Sequence, residues 1–315
     1  MNDRTVVVTG GAGFIGSHLA QRLVELGFRV RVIDNFSTGR RENLAGIERC
    51  VELFVGDIND ETVTGPALSG AQCVLHQAAL PSVPRSLRDP LASQRANADG
   101  TLSLLAMAKA NGVRRFVYAA SSSAYGDTPV LPKTESMCAN PKSPYAVSKY
   151  TGELYCRLYA STFGLQTISL RYFNVFGPRQ DPGSEYAAVI PKFIRSLSRG
   201  ESPIIFGDGE QSRDFCYIEN VIRANLLAMQ APVTAGEVVN VACGERITLN
   251  ELVAELNAVL GTRIAPTYQP ARDGDVRHSL ADLAEARRVL GYAPAVRVRE
   301  GLASTVEWHR RKVAS

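Results

Sequence analysis

Short apolar runs and amphipathic stretches take turns along the first half of the chain. Thr5-Val6-Val7-Val8-Thr9 is largely β-branched, residues 14–27 repeat apolar positions at helical spacing, and residues 29–33 alternate. Further strands are expected at 51–55, 73–76, 115–120 and 166–171, with helices between them, notably at 91–110 and 145–163. This alternation predicts a parallel sheet with crossover helices on both faces, an α/β doubly wound fold of Rossmann type. The apolar runs lack strict period-two alternation, as expected of strands buried on both sides.

After Arg171 the rhythm changes. Proline and glycine become frequent (Gly177-Pro178, Pro191, Gly200, Pro203, Gly207, Gly209) and the connections lengthen. The pattern predicts a dinucleotide-binding domain over 1–171 and a smaller C-terminal substrate-binding lobe made mainly of 172–315. Residues 219–229 and 238–242 return to the earlier pattern, so the stretch at about 214–242 is expected to rejoin the first domain.

Composition narrows the class. With 45% hydrophobic and 21% charged residues, the chain is globular rather than disordered or fibrous. The net charge of +4 is spread without a basic stripe, so no nucleic-acid partner is expected. No apolar run approaches the roughly 18–20 residues that span a bilayer, so no membrane span is expected. The first residues lead straight into a strand without a small-residue cleavage site, which favours a cytoplasmic protein. Six cysteines form neither a CxxC pair nor a ligand cluster with histidine, so they read as reduced thiols, and no metal site is expected.

The first strand runs into Gly10-Gly11-Ala12-Gly13-Phe14-Ile15-Gly16. Gly10, Gly13 and Gly16 allow a tight turn, close approach of backbone to a pyrophosphate, and close packing of helix on strand. The amides that open the helix then face the anion. Asp34 ends the second strand, where its carboxylate can accept both ribose hydroxyls and repel a 2′-phosphate, so NAD is expected over NADP. Arg40 and Arg41 bear on that choice but lie beyond the ribose position. Asp57, in Gly56-Asp57-Ile58, can accept from the adenine amino group. The small residues of Gln77-Ala78-Ala79 let the chain pass close to the cofactor, whereas His76 is read as a structural histidine.

The second group lies farther on. Ser121-Ser122-Ser123 closes the strand at 115–120, and Ser143-Pro144-Tyr145-Ala146-Val147-Ser148-Lys149 opens a helix. Tyr145 and Lys149 then share one helical face at i,i+4. A tyrosine near pKa ~10 is a poor base at neutral pH, but an adjacent ammonium and the positive nicotinamide favour its phenolate. A serine hydroxyl can share the proton being moved. Tyr145, Lys149 and a serine of 121–123 are therefore the expected catalytic set.

Together the glycine turn and the Tyr-x-x-x-Lys pair resemble the extended short-chain dehydrogenase/reductase superfamily. Within it, HQAALPSVPRS at 76–86, RYFNVFGPRQ at 171–180, RDFCYIEN at 213–220 and RDGDVRHSLAD at 272–282 resemble the nucleotide-sugar 4-epimerases, most closely those acting on UDP-N-acetylglucosamine. The resemblance implies contacts to NAD from Phe14, Ile15, Asp34, Asn35, Asp57, Ile58, Ala78, Asn97, Lys149 and Phe173. It implies that Ser121, four residues before Tyr125, is the catalytic serine, with Ser122 or Ser123 open as its partner. It places Asn174, Val189, Arg213, Arg272 and Asp275 on the UDP moiety and Ser279 in the sugar pocket. A serine there leaves room for an acetamido group, where a tyrosine restricts relatives to plain hexoses; the alternative is that Ser279 caps a helix through Asp282. The implied chemistry is intramolecular redox at carbon 4 through a 4-keto sugar.

Three other readings remain. Dehydratases carry an acidic pair where this chain has Ser122 and Ser123; uronate epimerases or decarboxylases share most motifs; a non-catalytic NAD sensor would have lost the triad. A homodimer is implied, paired through the helices at 91–110 (Leu102, Leu105, Met107, Ala108) and 145–163 (Leu154, Leu158, Tyr159).

Overall fold

The computed structural model describes residues 2–181, 188–232, 235–271 and 276–314. Its centre is a seven-stranded sheet, parallel throughout. The strands are β1 (Asn2–Thr9), β2 (Phe28–Asp34), β3 (Val51–Val55), β4 (Cys73–His76), β5 (Arg115–Ser121), β6 (Gln166–Tyr172) and the strand Glu237–Val241. From one edge they run Glu237–Val241, β6, β5, β4, β1, β2, β3, so chain order reverses between β1 and β4. Val8 of β1, for example, sits between Val32 of β2 and Leu75 of β4, and all three are fully buried.

Helices cover both faces because the strands are apolar on both sides. On one face α1 (Phe14–Glu25) and α8 (Ile218–Gln230) pack Leu19, Leu23, Val221 and Ile222 against Val8, Val32 and Val117. On the other, α2 (Glu61–Leu68), α5 (Gly100–Ala110) and α6 (Pro144–Phe163) pack Leu68, Leu104, Leu105 and Cys156 against Val7, Val74 and Phe116. A separate core joins α7 (Val189–Ser198), α9 (Leu249–Leu260) and α11 (Val298–Ala314) through Phe193, Leu197, Leu252, Leu256 and Leu302. The strand Glu237–Val241 pairs with β6, Val239 opposite Leu170, which returns the chain to the main sheet.

The helix expected at 91–110 is present but is not α-helical throughout. Two short helices, α3 (Val83–Arg88) and α4 (Pro90–Gln94), are followed by one wide π turn at Arg95–Asp99 and only then by α5. Such turns recur at functional sites. This one places Asn97, fully buried, where its Oδ1 accepts from the Leu80 amide (2.7 Å) while its Nδ2 donates to the Leu80 carbonyl (3.2 Å) and to Ser148 Oγ (3.1 Å). Gly100 follows against Ile58, whose Cδ1 would stand 2.7 Å from any added Cβ.

Candidate active site

A cavity of about 1480 Å³ runs along the carboxyl ends of the strands, across the point where strand order reverses. Open α/β sheets bind ligands at such a point. At one end is the glycine turn. Gly10 has φ +63°, and its amide donates to the Ile33 carbonyl (2.8 Å) while the Gly13 amide donates to the Gly10 carbonyl (3.0 Å). A Cβ on Gly16 would stand 2.1 Å from the Gly10 oxygen, and one on Gly10 2.8 Å from the Ala78 backbone. Gly13 caps α1 with no side chain over its first amides, so the helix opens bare toward the cavity. That cradle fits a pyrophosphate and no bulkier backbone.

Asp34, 7% exposed, receives the Ala12 amide on Oδ2 and the Phe36 amide on Oδ1, each at 2.8 Å. Burial raises its carboxyl above the usual range, and the two amides pull it back. It holds the turn together and still lines the cavity. The arginines after it are engaged elsewhere: Arg40 pairs with Asp181 at 2.5 Å, and the Arg41 guanidinium stacks 4.6 Å from the centre of the Phe36 ring. Asp57 accepts from Asn35 Nδ2 and from the amide and Nδ2 of Asn59, all at 2.9 Å. Gly13, Phe14, Ile15, Gly16, Asn35, Ile58, Gln77, Ala78, Ala79 and Phe173 line the same cavity. Asn97 does not; it stands behind the wall and holds the Leu80 segment that forms it.

His76 lies under the sheet's upper edge as a structural group. Its Nε2 meets Thr101 Oγ1 at 2.9 Å and its Nδ1 meets Thr9 Oγ1 at 2.7 Å. Because the Thr101 hydroxyl donates to the Asn97 carbonyl, Nε2 carries the proton and Nδ1 accepts from Thr9.

Mid-cavity, β5 and α6 bring the second group together. Ser143 caps α6 through a hydrogen bond from the Ala146 amide (3.2 Å), and Pro144 occupies the first turn. Tyr145 and Lys149 therefore line the cavity together with Ser121, whose hydroxyl acts on the Tyr145 phenol against the effect of burial. Ser123 donates to Ser121 Oγ from both its hydroxyl (2.8 Å) and its amide (3.2 Å). Ser122 and Ser123 also line the cavity. The protein by itself does not lower the phenol; the expected lowering invoked the positive nicotinamide as well as the lysine. Burial raises Tyr145 above its ordinary value, and burial pulls Lys149 down to about 7. Both groups lose more from leaving water than they gain from each other.

Beyond the triad, Asn174 Nδ2 donates to the Asp214 carbonyl (2.9 Å) and to Ser279 Oγ (3.1 Å). Ser279 caps no helix: the next one, α10, is Ala284–Leu290, and Ser279 lines the cavity. Arg213 lines this cavity and a neighbouring hollow of about 280 Å³ that also holds Val189, Gln211 and Phe206. Arg272 and Asp275 lie outside the described residues.

Some groups escaped the sequence reading. Arg85 of α3 and Arg95 and Asp99 of the π turn also line the cavity, and periodicity does not reveal the π turn. Lys133, 2% exposed, lines the far end from a loop without periodic signal, with Nζ donating to the Thr128 carbonyl. Asp214, fully buried, accepts from the amides of Cys243 (2.9 Å), Gly244 (3.0 Å) and Ala281 (3.2 Å), which ties the Ser279 segment to the sheet. Burial pushes its carboxyl up to about 7. Only its place inside RDFCYIEN marked it.

Comparison with known proteins agrees with this geometry. The NAD dependent epimerase/dehydratase family matches residues 6–242. The solved UDP-N-acetylglucosamine 4-epimerase from Methanobrevibacter ruminantium, in complex with UDP-N-acetylmuramic acid, is 41% identical with a TM-score of 0.95. That match covers 99% of this chain and 100% of the other. The Thermus thermophilus UDP-glucose 4-epimerase complex with NAD is 34% identical, with a TM-score of 0.88 over 97% of this chain and 99% of the other. The UDP-glucose 4-epimerase of Mycolicibacterium smegmatis is 39% identical over 97% of this chain and 98% of its own length. A family match over residues 6–242, with relatives 34–41% identical across nearly the whole chain, places the chain in the NAD dependent epimerase/dehydratase family.

Proposed function

We propose that this protein is an NAD-dependent UDP-sugar 4-epimerase that interconverts UDP-GlcNAc and UDP-GalNAc, and more slowly UDP-Glc and UDP-Gal. The observation that carries the reading is the position of Ser121, Tyr145 and Lys149 midway along one cavity, between the glycine cradle and the Asn174–Ser279 wall. NAD, when bound, takes up a hydride from carbon 4 and returns it to the opposite face. Ser121 and Tyr145 hold the 4-hydroxyl and remove its proton; Lys149 supplies positive charge beside the phenol. Residues 1–171, with 214–242, hold the dinucleotide, and 172–315 mainly hold the UDP-sugar. Asn174, Val189 and Arg213 contact the UDP, with Arg272 and Asp275 completing that end. Ser122 and Ser123 are hydroxyls, so the acid and base of a dehydration are missing from their places. Incubation of the purified protein with UDP-GlcNAc and UDP-Glc, followed by separation of products, tests the reading; no epimer from either sugar rejects it.

Asp34 sets the cofactor. Its carboxylate would repel a 2′-phosphate, and Arg40 is already paired with Asp181. Titration of cofactor-free protein should therefore show NAD⁺ binding well ahead of NADP⁺; equal affinities would remove Asp34 from this role.

The protein acts in the cytoplasm as a homodimer, although not through all the residues the helical pattern suggested. Leu105 and Ala108 of α5 are fully buried against the sheet, Tyr159 is also buried, and Leu102 and Met107 pack on the same core. Leu154 and Leu158 are exposed, together with Val147 one face along α6 and Leu87 and Leu91 on α3 and α4. These five form the pairing face. Light scattering at micromolar concentration should give twice the protomer mass, and a monomer would reject the pairing.

A further inference from the structure

The buried ammonium of Lys149 rests on a built seat. Lys149 is 4% exposed, and its Nζ lies 4.4 Å from the centre of the Tyr118 ring. Tyr118 is fully buried on β5, three residues before Ser121, and its hydroxyl donates to the Lys149 carbonyl (3.1 Å). Helix α6 closes onto that hydroxyl at Gly152, where an added Cβ would stand 2.3 Å from Tyr118 Oη, so only glycine lets the helix come this near. On the ring's other neighbour side, His76 lies with centroids 5.6 Å apart and planes inclined by 34°. Thr9 and Thr101 hold that imidazole from both nitrogens, and burial beside Lys149 keeps it neutral. The nearest carboxylate on α6, Glu153, is committed to Arg171 through two hydrogen bonds of 2.8 and 2.9 Å. No ion pair of Lys149 occurs among the described residues; a ring face does what a carboxylate would otherwise do.

We infer that Tyr118 is a positioning residue for the epimerisation, its ring face seating the Lys149 ammonium beside the catalytic set. The inference rests on the catalytic reading of Tyr145 and Lys149 given above. A carboxylate in that place would bind the ammonium more tightly and offset the positive charge that the Tyr145 phenolate needs. An aromatic face attracts the cation without cancelling its charge. The neutral His76 behind the ring preserves this, since an imidazolium there would repel Lys149.

The test separates the ring's electrostatics from its bulk. Tyr118→Phe keeps the face and should hold kcat within about twofold of wild type. Tyr118→Leu removes it and should lower kcat about tenfold, with the KM for UDP-sugar within about twofold, a loss of the size cation–π contacts carry when desolvated. Should the leucine variant fail to fold, 4-fluoro- and 3,4,5-trifluorophenylalanine placed at position 118 drain the ring face at nearly constant shape, and kcat should fall stepwise along that series. A flat series, a loss that appears in KM rather than kcat, or a Tyr118→Phe variant as impaired as the leucine one overturns the inference. If the wild-type protein epimerises no UDP-sugar, the catalytic reading beneath it fails instead.

Discussion

Tyr145→Phe will yield a folded protein that binds NAD and epimerises UDP-sugars roughly 10²–10⁴ times more slowly, the range set by loss of a positioned proton-transfer group. The change removes one oxygen from a ring whose packing is kept. Ser121 retains both hydrogen bonds from Ser123, neither of which involves residue 145. Lys149 keeps its place over Tyr118, because neither contact involves residue 145. Melting curves with and without added NAD check that fold and cofactor site survive, and product formation under substrate saturation gives the rate. Turnover above a tenth of the wild-type value would mean that another group takes the proton.

The substrate range depends on a single small side chain. Ser279→Tyr should abolish turnover of UDP-GlcNAc and UDP-GalNAc, by about 100-fold or more, while UDP-Glc and UDP-Gal continue to react. Ser279 sits on the cavity wall with its backbone fixed, its amide donating to the Ser212 carbonyl at 3.0 Å. Asp214 anchors the same segment two residues on, through the Ala281 amide. A larger side chain there has no backbone freedom to swing away, so its ring must occupy cavity space. The substitution also removes the hydrogen bond from Asn174 to Ser279 Oγ, and Ser279→Ala isolates that part. The alanine variant should lose at most a few-fold on both sugar pairs, a single neutral hydrogen bond being worth about 1 kcal/mol. Parallel loss on both pairs in the tyrosine variant, or no change on either, would remove Ser279 from the pocket's selectivity.

Much of this was written in local chemistry. The β-branched run at 5–9, the glycines at 10, 13 and 16, and the acidic residue closing the second strand each have one physical reading, and together they place a dinucleotide turn at the end of β1. Ser143 and Pro144 start a helix wherever they stand before an amphipathic run, and the i,i+4 spacing then puts Tyr145 and Lys149 on one face. These features were legible because short-range geometry alone decides them.

Other features needed the chain to be folded. How three adjacent serines pair depends on how β5 ends, where Ser123 donates to Ser121 Oγ. The π turn at Arg95–Asp99 carries Asn97 against Leu80, a contact that helical periodicity does not reveal. Burial, too, is a tertiary quantity: it sends Leu105 and Ala108 inward and leaves Leu87 and Leu91 outside. For the same reason spacing could not show that desolvation in the folded protein raises the Tyr145 phenol and lowers Lys149, a balance that the expected lowering shifts through the nicotinamide charge as well as the lysine. The sequence determined which chemistry is present and on which elements it rides; the packing of β5, α6 and the Asp214 clamp decided which groups touch and how charged they are, because both depend on distances and solvent exclusion between residues far apart in the chain.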